Sequence, residues 1–143
     1  MKVLFLDIDG VLNNVEYQMN ATEPPPFLDK TKLAILKEIV DKTNVKIVLS
    51  SSWKKAWQPG CDFDCIFKNA GITISDVTPA LGFKRVEISA WLKSHPETEK
   101  FVILDDAVAG WGELMPNVVF TDQNKGLQHT DIESLLQKIW KKE

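Results

Sequence analysis

Asp7-Ile8-Asp9-Gly10, Ser50, the adjacent pair Lys84 and Arg85, and Asp105-Asp106 are the residues of this chain whose types and settings suit chemistry. Carboxylates crowded together repel one another strongly unless a cation sits among them. An all-oxygen donor set of that kind suits Mg²⁺, which readily shares its coordination shell with a substrate phosphate. A carboxylate held beside such an ion can attack phosphorus and form an aspartyl-phosphate. Taken singly, the same residues have plainer uses. Asp-x-Asp-Gly occurs in turns and opens calcium loops, but a calcium loop needs a further oxygen ligand where this chain has Val11. Asp105-Asp106 alone could cap a helix, and Lys84 and Arg85 alone could lie on a solvated face. What favours chemistry is that the acidic residues stand where buried strands end.

Those strands are legible as short apolar runs. Lys2 to Leu6 stops at Asp7, Val45 to Leu49 runs into Ser50-Ser51-Ser52, and Phe101 to Leu104 stops at Asp105. Each reads as a strand buried on both faces of a parallel sheet. Val118 to Phe120 is expected as a fourth strand and Ile72 to Ile74 as a minor one. Between them lie helical patterns. Asp29 is set to cap a helix with the stripe Leu33, Leu36, Ile39 and Val40, and Phe63, Ile66, Phe67 and Ala70 form a shorter stripe closed by Gly71. Lys84 to Ser94 turns Ile88, Trp91 and Leu92 inward and ends before Pro96. Thr130 with Glu133 reads as a capping box ahead of Ile132, Leu135, Leu136, Ile139 and Trp140. Asn13 to Phe27 has no period and reads as an exposed loop stiffened by Pro24, Pro25 and Pro26. The alternation predicts an α/β fold, a three-layer sandwich on a mainly parallel, Rossmann-like sheet, in one domain over residues 1–143. In such sheets ligands bind beyond the carboxyl ends of the strands, so Asp7, Asp9, Ser50, Asp105 and Asp106 should converge at one edge. Counting back from Ile88 and Trp91 favours Lys84 over Arg85 as the inward basic residue. Ser50 is preferred to Ser51 because it directly follows its strand.

Asp7-Ile8-Asp9-Gly10-Val11 after a buried strand, a serine ending the second, a basic residue opening a later helix, then Asp105-Asp106: this order resembles the haloacid dehalogenase (HAD) superfamily of phosphohydrolases over most of the chain. The runs "LSSSW", "EISAWL" and "VILDD" are similar to small phosphatase-like domains associated with nucleic-acid end repair. The resemblance implies a Mg²⁺-dependent phosphatase with Asp7 as nucleophile and Asp9 as general acid and base. It implies that Ser50 and Lys84 contact the transferring phosphoryl group. Asp7, Asp9, Asp105 and Asp106 would hold the metal, Asp9 through its backbone carbonyl and Asp106 in support of Asp105. Superfamily members often insert a cap domain after the first motif or between the second and third. Here Val11 to Lys46 and Ser51 to Phe83 are both too short for a full cap. An open site is expected, suited to a phosphate on a large substrate such as a nucleic-acid end, with nucleotides also admitted.

Composition bounds the partners. The chain has 143 residues, 44% hydrophobic and 26% charged, with 17 Lys+Arg against 20 Asp+Glu and a formal charge of −3. An acidic pI near 5.4 argues against coating a long phosphate backbone, which needs a basic groove. Trp53 and Trp57, just after Ser50, are candidates for groove walls or for stacking platforms under a base. Cys61 and Cys65 have no zinc-ligand spacing with His95 or His129, and two cysteines are too few for a disulfide scaffold. With no apolar run long enough to span a membrane and an N-terminal run soon broken by Asp7, a cytoplasmic domain is expected. Two small-molecule or binding alternatives share the fold: a metabolite phosphatase, and a catalytically silent HAD-like module, whose mark would be a lost motif residue. A phosphorylatable receiver domain would need its acidic pair and phosphoacceptor on different strands and a late Lys-Pro, which this chain lacks.

Overall fold

The computed structural model describes residues 1–19 and 28–140, the last of these in its backbone alone. Among these residues five strands form one sheet: β1 (Lys2–Leu6), β2 (Lys46–Leu49), β3 (Ile74–Val77), β4 (Lys100–Asp105) and β5 (Val118–Phe120). Their order is β3-β2-β1-β4-β5 and every pairing is parallel. The helices are α1 (Val15–Met19), α2 (Lys30–Thr43), α3 (Asp62–Asn69), α4 (Lys84–Ser94) and α5 (His129–Trp140), with 3-10 turns at Ser52–Ala56 and Gly112–Asn117.

Strand alternation divides the core. Leu4 and Leu6 of β1 face a layer holding Leu33 and Leu36 of α2, Phe67 of α3, and Ile132 and Leu135 of α5. Val3 and Phe5 face the opposite layer, with Ile88 and Trp91 of α4, Trp111 and Leu114. Residues buried on both sides of β1 explain its unbroken apolar run. This is the expected three-layer α/β sandwich.

Several local expectations need correction. The 13–27 stretch is not all loop: Val15–Met19 is helical, while Pro24, Pro25 and Pro26 lie outside the described residues. The edge strand begins at Ile74, not Ile72, because the backbone N–H of Ile72 is spent on Phe67 O (2.9 Å) in closing α3. Gly71, at φ 78°, donates to Lys68 O in the same closure, the paired-bond ending that favours glycine. The last helix starts at His129, so Thr130 lies inside it. Its entry is closed instead by Gln128 N–H donating to Asp131 Oδ2 at 2.8 Å. Asp29 does cap α2, accepting from Thr31 N–H at 2.9 Å. Among the described residues no helix is long and apolar enough to cross a membrane.

Candidate active site

The site is built at the carboxyl edge of the sheet, where the ladder extends one residue past β1 and β2 to meet the end of β4. Asp7 N–H donates to Leu104 O at 3.1 Å, and Ser50 N–H donates to Leu6 O at 2.9 Å. Asp7, Ser50 and Asp105, from three neighbouring strands, are thereby locked side by side, and all are buried. Asp106, the next residue along, is half-buried. Oxygens of Asp7, Asp105 and Asp106 lie within 4.8 Å of one another.

Lys84, the first residue of α4, reaches across to this group. Its Nζ is 3.0 Å from Asp7 Oδ1 and 2.7 Å from Asp105 Oδ2. The other oxygen of Asp105 accepts from Ala107 N–H at 2.9 Å, which fixes the carboxylate plane. Arg85 is directed elsewhere, its guanidinium lying against Gly112, where an added Cβ would come within 2.7 Å of Nη1. Of the two serines, Ser51 is occupied in capping the 3-10 turn, accepting from Trp53 N–H at 3.2 Å. The Ser50 hydroxyl is buried with no hydrogen-bond partner among the described residues. An orphaned buried hydroxyl costs stability unless a ligand satisfies it.

Asp9 departs from the expected convergence. Ile8 is buried, and at Asp9-Gly10 the chain turns out of the strand, leaving Asp9 exposed. Its carboxylate is outside the group of three and accepts from Trp53 Nε1 at 3.2 Å. The crowd of four carboxylates expected from strand ends is therefore three. Gly10 has a specific reason to be glycine: φ is +81°, and an added Cβ would lie 2.2 Å from Asp106 Oδ2.

Burial and its neighbour Asp105 push the Asp7 carboxyl up to about 7, against the opposing pull of Lys84. Asp106 is raised for the same two reasons, burial first. Burial pulls the Lys84 ammonium down, but Asp7 and Asp105 outweigh it and the net shift is upward. One ammonium against three carboxylates leaves excess negative charge in a buried place. A hard divalent cation fits that donor set, since all the side-chain ligands are carboxylate oxygens and the uncompensated charge is what burial penalises.

Two features carry no local signal in the sequence. Lys54 and Glu87 form a buried ion pair at 2.7 Å, although they are 33 positions apart. Trp53 stacks on Phe63 of α3 (centroids 6.1 Å, planes 27° apart) while bonding Asp9. Trp57 goes a different way, its Nε1 donating to buried Asp64 Oδ1 at 3.0 Å. In a 3-10 turn, residues four apart do not share a face, so the two indoles separate. Cys61 caps α3, its Sγ accepting from Asp64 N–H at 3.4 Å. A cavity of about 660 Å³, mostly apolar, lies between α2 and α3 and is lined by none of the site residues.

No curated protein and no solved structure matches the chain. A family model does, described as the HAD domain in Swiss Army Knife RNA repair proteins, and the match runs over residues 3–132. That span takes in Asp7-x-Asp9, Ser50, Lys84 and Asp105-Asp106, all five strands and the start of the last helix. The chain belongs to the HAD domain family of the Swiss Army Knife RNA repair proteins.

Proposed function

We propose that the chain is a Mg²⁺-dependent phosphomonoesterase that works through an aspartyl-phosphate on Asp7 and acts on the terminal phosphate of a nucleic acid or nucleotide. Membership of the family supports a HAD-type phosphohydrolase, and the repair proteins in which that domain is found favour a nucleic-acid end. The observation that carries the chemistry is Lys84 bridging buried Asp7 and Asp105 beside the unpartnered Ser50 hydroxyl.

In the first half-reaction an Asp7 oxygen attacks phosphorus in line, the P–O bond to the leaving group breaks, and Asp9 gives that oxygen its proton. In the second, Asp9 takes a proton from water. The hydroxide attacks the same phosphorus, the bond to Asp7 breaks, and inorganic phosphate leaves with Asp7 restored. Lys84 and the Ser50 hydroxyl hold the phosphoryl oxygens whose charge grows in the transition state. Asp7, Asp105 and Asp106, with the backbone carbonyl of Asp9, would hold Mg²⁺, which when bound supplies positive charge to the phosphoryl oxygens. Asp9 is suited to proton transfer because its exposed carboxylate keeps apart from the carboxylate group and is steered by Trp53.

The test is hydrolysis of a generic phosphate ester with Mg²⁺ and then with chelator, in wild type and in Asp7→Asn. The amide is nearly isosteric and far less nucleophilic, so turnover should fall by about 10³-fold or more with the fold intact. Turnover by folded Asp7→Asn within a few-fold of wild type removes Asp7 as nucleophile. A competition among a 3′-phosphorylated oligonucleotide, a mononucleotide and a sugar phosphate then tests the substrate. Equal efficiency for all three would leave a small-metabolite phosphatase, and no turnover of any would leave a silent binding module.

A further inference from the structure

A cleft of about 400 Å³ opens beside the carboxylate group. Asp9 and Asp106 form its edge towards the site, and the amide-bearing residues Asn13, Gln18 and Gln123 are among those that line it. We infer that this cleft is a leaving-group subsite that takes the terminal nucleoside of the substrate, with Asn13, Gln18 and Gln123 as its recognition residues. The inference rests on the phosphatase reading above, because Asp9, the proposed proton donor to the leaving oxygen, is what places the leaving group there.

The cleft is a built feature, since its walls are bonded to each other. Val15 N–H donates to Gln123 O (3.2 Å) and Glu16 N–H to Asn124 O (2.9 Å), and Asn14 Nδ2 donates to Asn124 O (2.7 Å). Leu127 N–H donates to Val11 O at 2.8 Å, and Thr121 Oγ1 donates to Gly10 O at 2.8 Å, tying the opposite wall to the motif itself. The first turn of α1 and the 122–126 turn are thus held at a fixed separation.

The lining chemistry selects the occupant. Gln18 Nε2 donates to Asn13 Oδ1, so the two amides are aligned as a pair. That bond uses one carbonyl and one amide proton, and among the described residues it leaves the Asn13 amine as donor and the Gln18 carbonyl as acceptor. An adjacent donor and acceptor match the edge of a nucleobase. Val15 and Met19 add apolar surface. The charged lining residues, Asp9 and Asp106, are both acidic, so a second phosphate or a carboxylate inside the cleft would be repelled. A neutral, planar, hydrogen-bonding group meets every one of these conditions, and a volume of about 400 Å³ falls in the small-molecule range of roughly 300–1,000 Å³.

Two arms test this separately from the phosphatase reading. In the first, adenosine, uridine and ribose, none of which has a phosphate, are titrated into wild type, Asn13→Ala, Gln18→Ala and Gln123→Ala by NMR. At least one nucleoside should bind wild type better than ribose, and each variant should weaken it by about tenfold. Gln123→Ala lies on the opposite wall from the other two, so a folding defect in α1 cannot mimic the result. In the second arm, a nucleoside 3′-monophosphate is compared with phenyl phosphate. The ratio of kcat/KM values should fall by about tenfold in the variants, chiefly through KM of the nucleotide. Nucleosides that bind no better than ribose, or variants that leave both affinity and ratio at wild-type values, overturn the subsite. Loss of all hydrolysis in wild type with nucleoside binding intact overturns the phosphatase reading and the leaving-group role with it, and leaves the cleft as a nucleoside-binding site alone.

Discussion

Asp7 and Asp9 are two positions apart and occupy opposite environments, and the difference follows from where the strand stops. Asp7 still has its N–H on the ladder and is only 5% exposed, so it competes with Asp105 for one ammonium. Asp9 has left the sheet and finds an indole N–H instead. Two carboxyl groups set apart in this way can serve as nucleophile and as proton carrier. The carboxylates and Ser50 were legible because strand ends are legible. The Trp53–Asp9 bond was not, since it depends on a 3-10 turn whose geometry no periodicity announces. Trp53→Phe keeps a ring to stack on Phe63 and removes the donor. Losing one charge-assisted hydrogen bond should lower kcat/KM by about tenfold, and more for alkyl phosphates, whose leaving oxygen needs its proton most, than for aryl phosphates. A series of esters graded by leaving-group basicity checks it; an equal loss across the series would mean that Trp53 only fills space.

Helix α4 is the element that decides whether Lys84 reaches its partners, and its beginning is unusual. Phe83, at the capping position, offers no side-chain hydrogen bond. Glu87 does the work from inside the helix, its Oε2 accepting from Leu81 N–H (2.8 Å) and Gly82 N–H (3.3 Å). Its other oxygen holds Lys54, which also donates to Thr78 Oγ1 (3.0 Å) and Pro79 O (3.2 Å). One buried network therefore ties the turn after β2, the loop after β3 and the start of α4 together. The helix itself was readable from Ile88 and Trp91, and so was the choice of Lys84 over Arg85. The network was not, because Lys54 in sequence looks like any solvated lysine. Glu87→Gln leaves the Lys54 ammonium buried without a counter-charge and should cost about 3–5 kcal/mol of stability at neutral pH. Burial pushes the Glu87 carboxyl up, but the bonds from Lys54, Leu81 and Gly82 outweigh it and hold it below its ordinary 4.5. A carboxyl depressed by folding contributes stability above its unfolded pKa and loses it as pH falls through the folded one. The gap between wild type and Glu87→Gln in urea unfolding should therefore narrow as pH drops below about 4.5, and a gap independent of pH would assign the loss to packing.

At the scale of the whole molecule, the sheet order places the site where the chain reverses its direction of winding. From β1 the chain goes outward to β2 and β3, then returns to the other side of β1 for β4 and β5. The crossover that leaves β1 through α2 and the one that enters β4 through α4 pack on opposite faces of the sheet, which opens a crevice at the carboxyl ends of β1 and β4, the switch point where open α/β sheets bind ligands. Asp7 and Asp105 stand on its two sides. Alternating strands and helices announce a parallel sheet, but two chains with the same alternation can wind differently, so the crevice was inferable only from motif order. The crevice concentrates negative charge, and that has a measurable consequence. Asp7 titrates at about 7 in the folded chain against 3.8 as a free side chain, burial being the main cause. The folded state then binds more protons than the unfolded state between these values, so metal-free stability should fall as pH rises from about 4 to about 7 and stay low above it. A shift of that size corresponds to a penalty on the order of 4 kcal/mol. Mg²⁺ should offset much of it, the whole gain being about 2.7 kcal/mol at a hundredfold excess over its Kd. Urea unfolding at pH 5 and pH 8, each in chelator and in Mg²⁺, measures both effects. Asp105→Ala should abolish the Mg²⁺ gain at pH 8, and Asp9→Asn should keep it, because the Asp9 carboxylate lies outside the group that carries the charge. Equal loss of the Mg²⁺ gain in both variants would place the Asp9 side chain among the ligands, and with it the division between one carboxylate for protons and three for metal would fall.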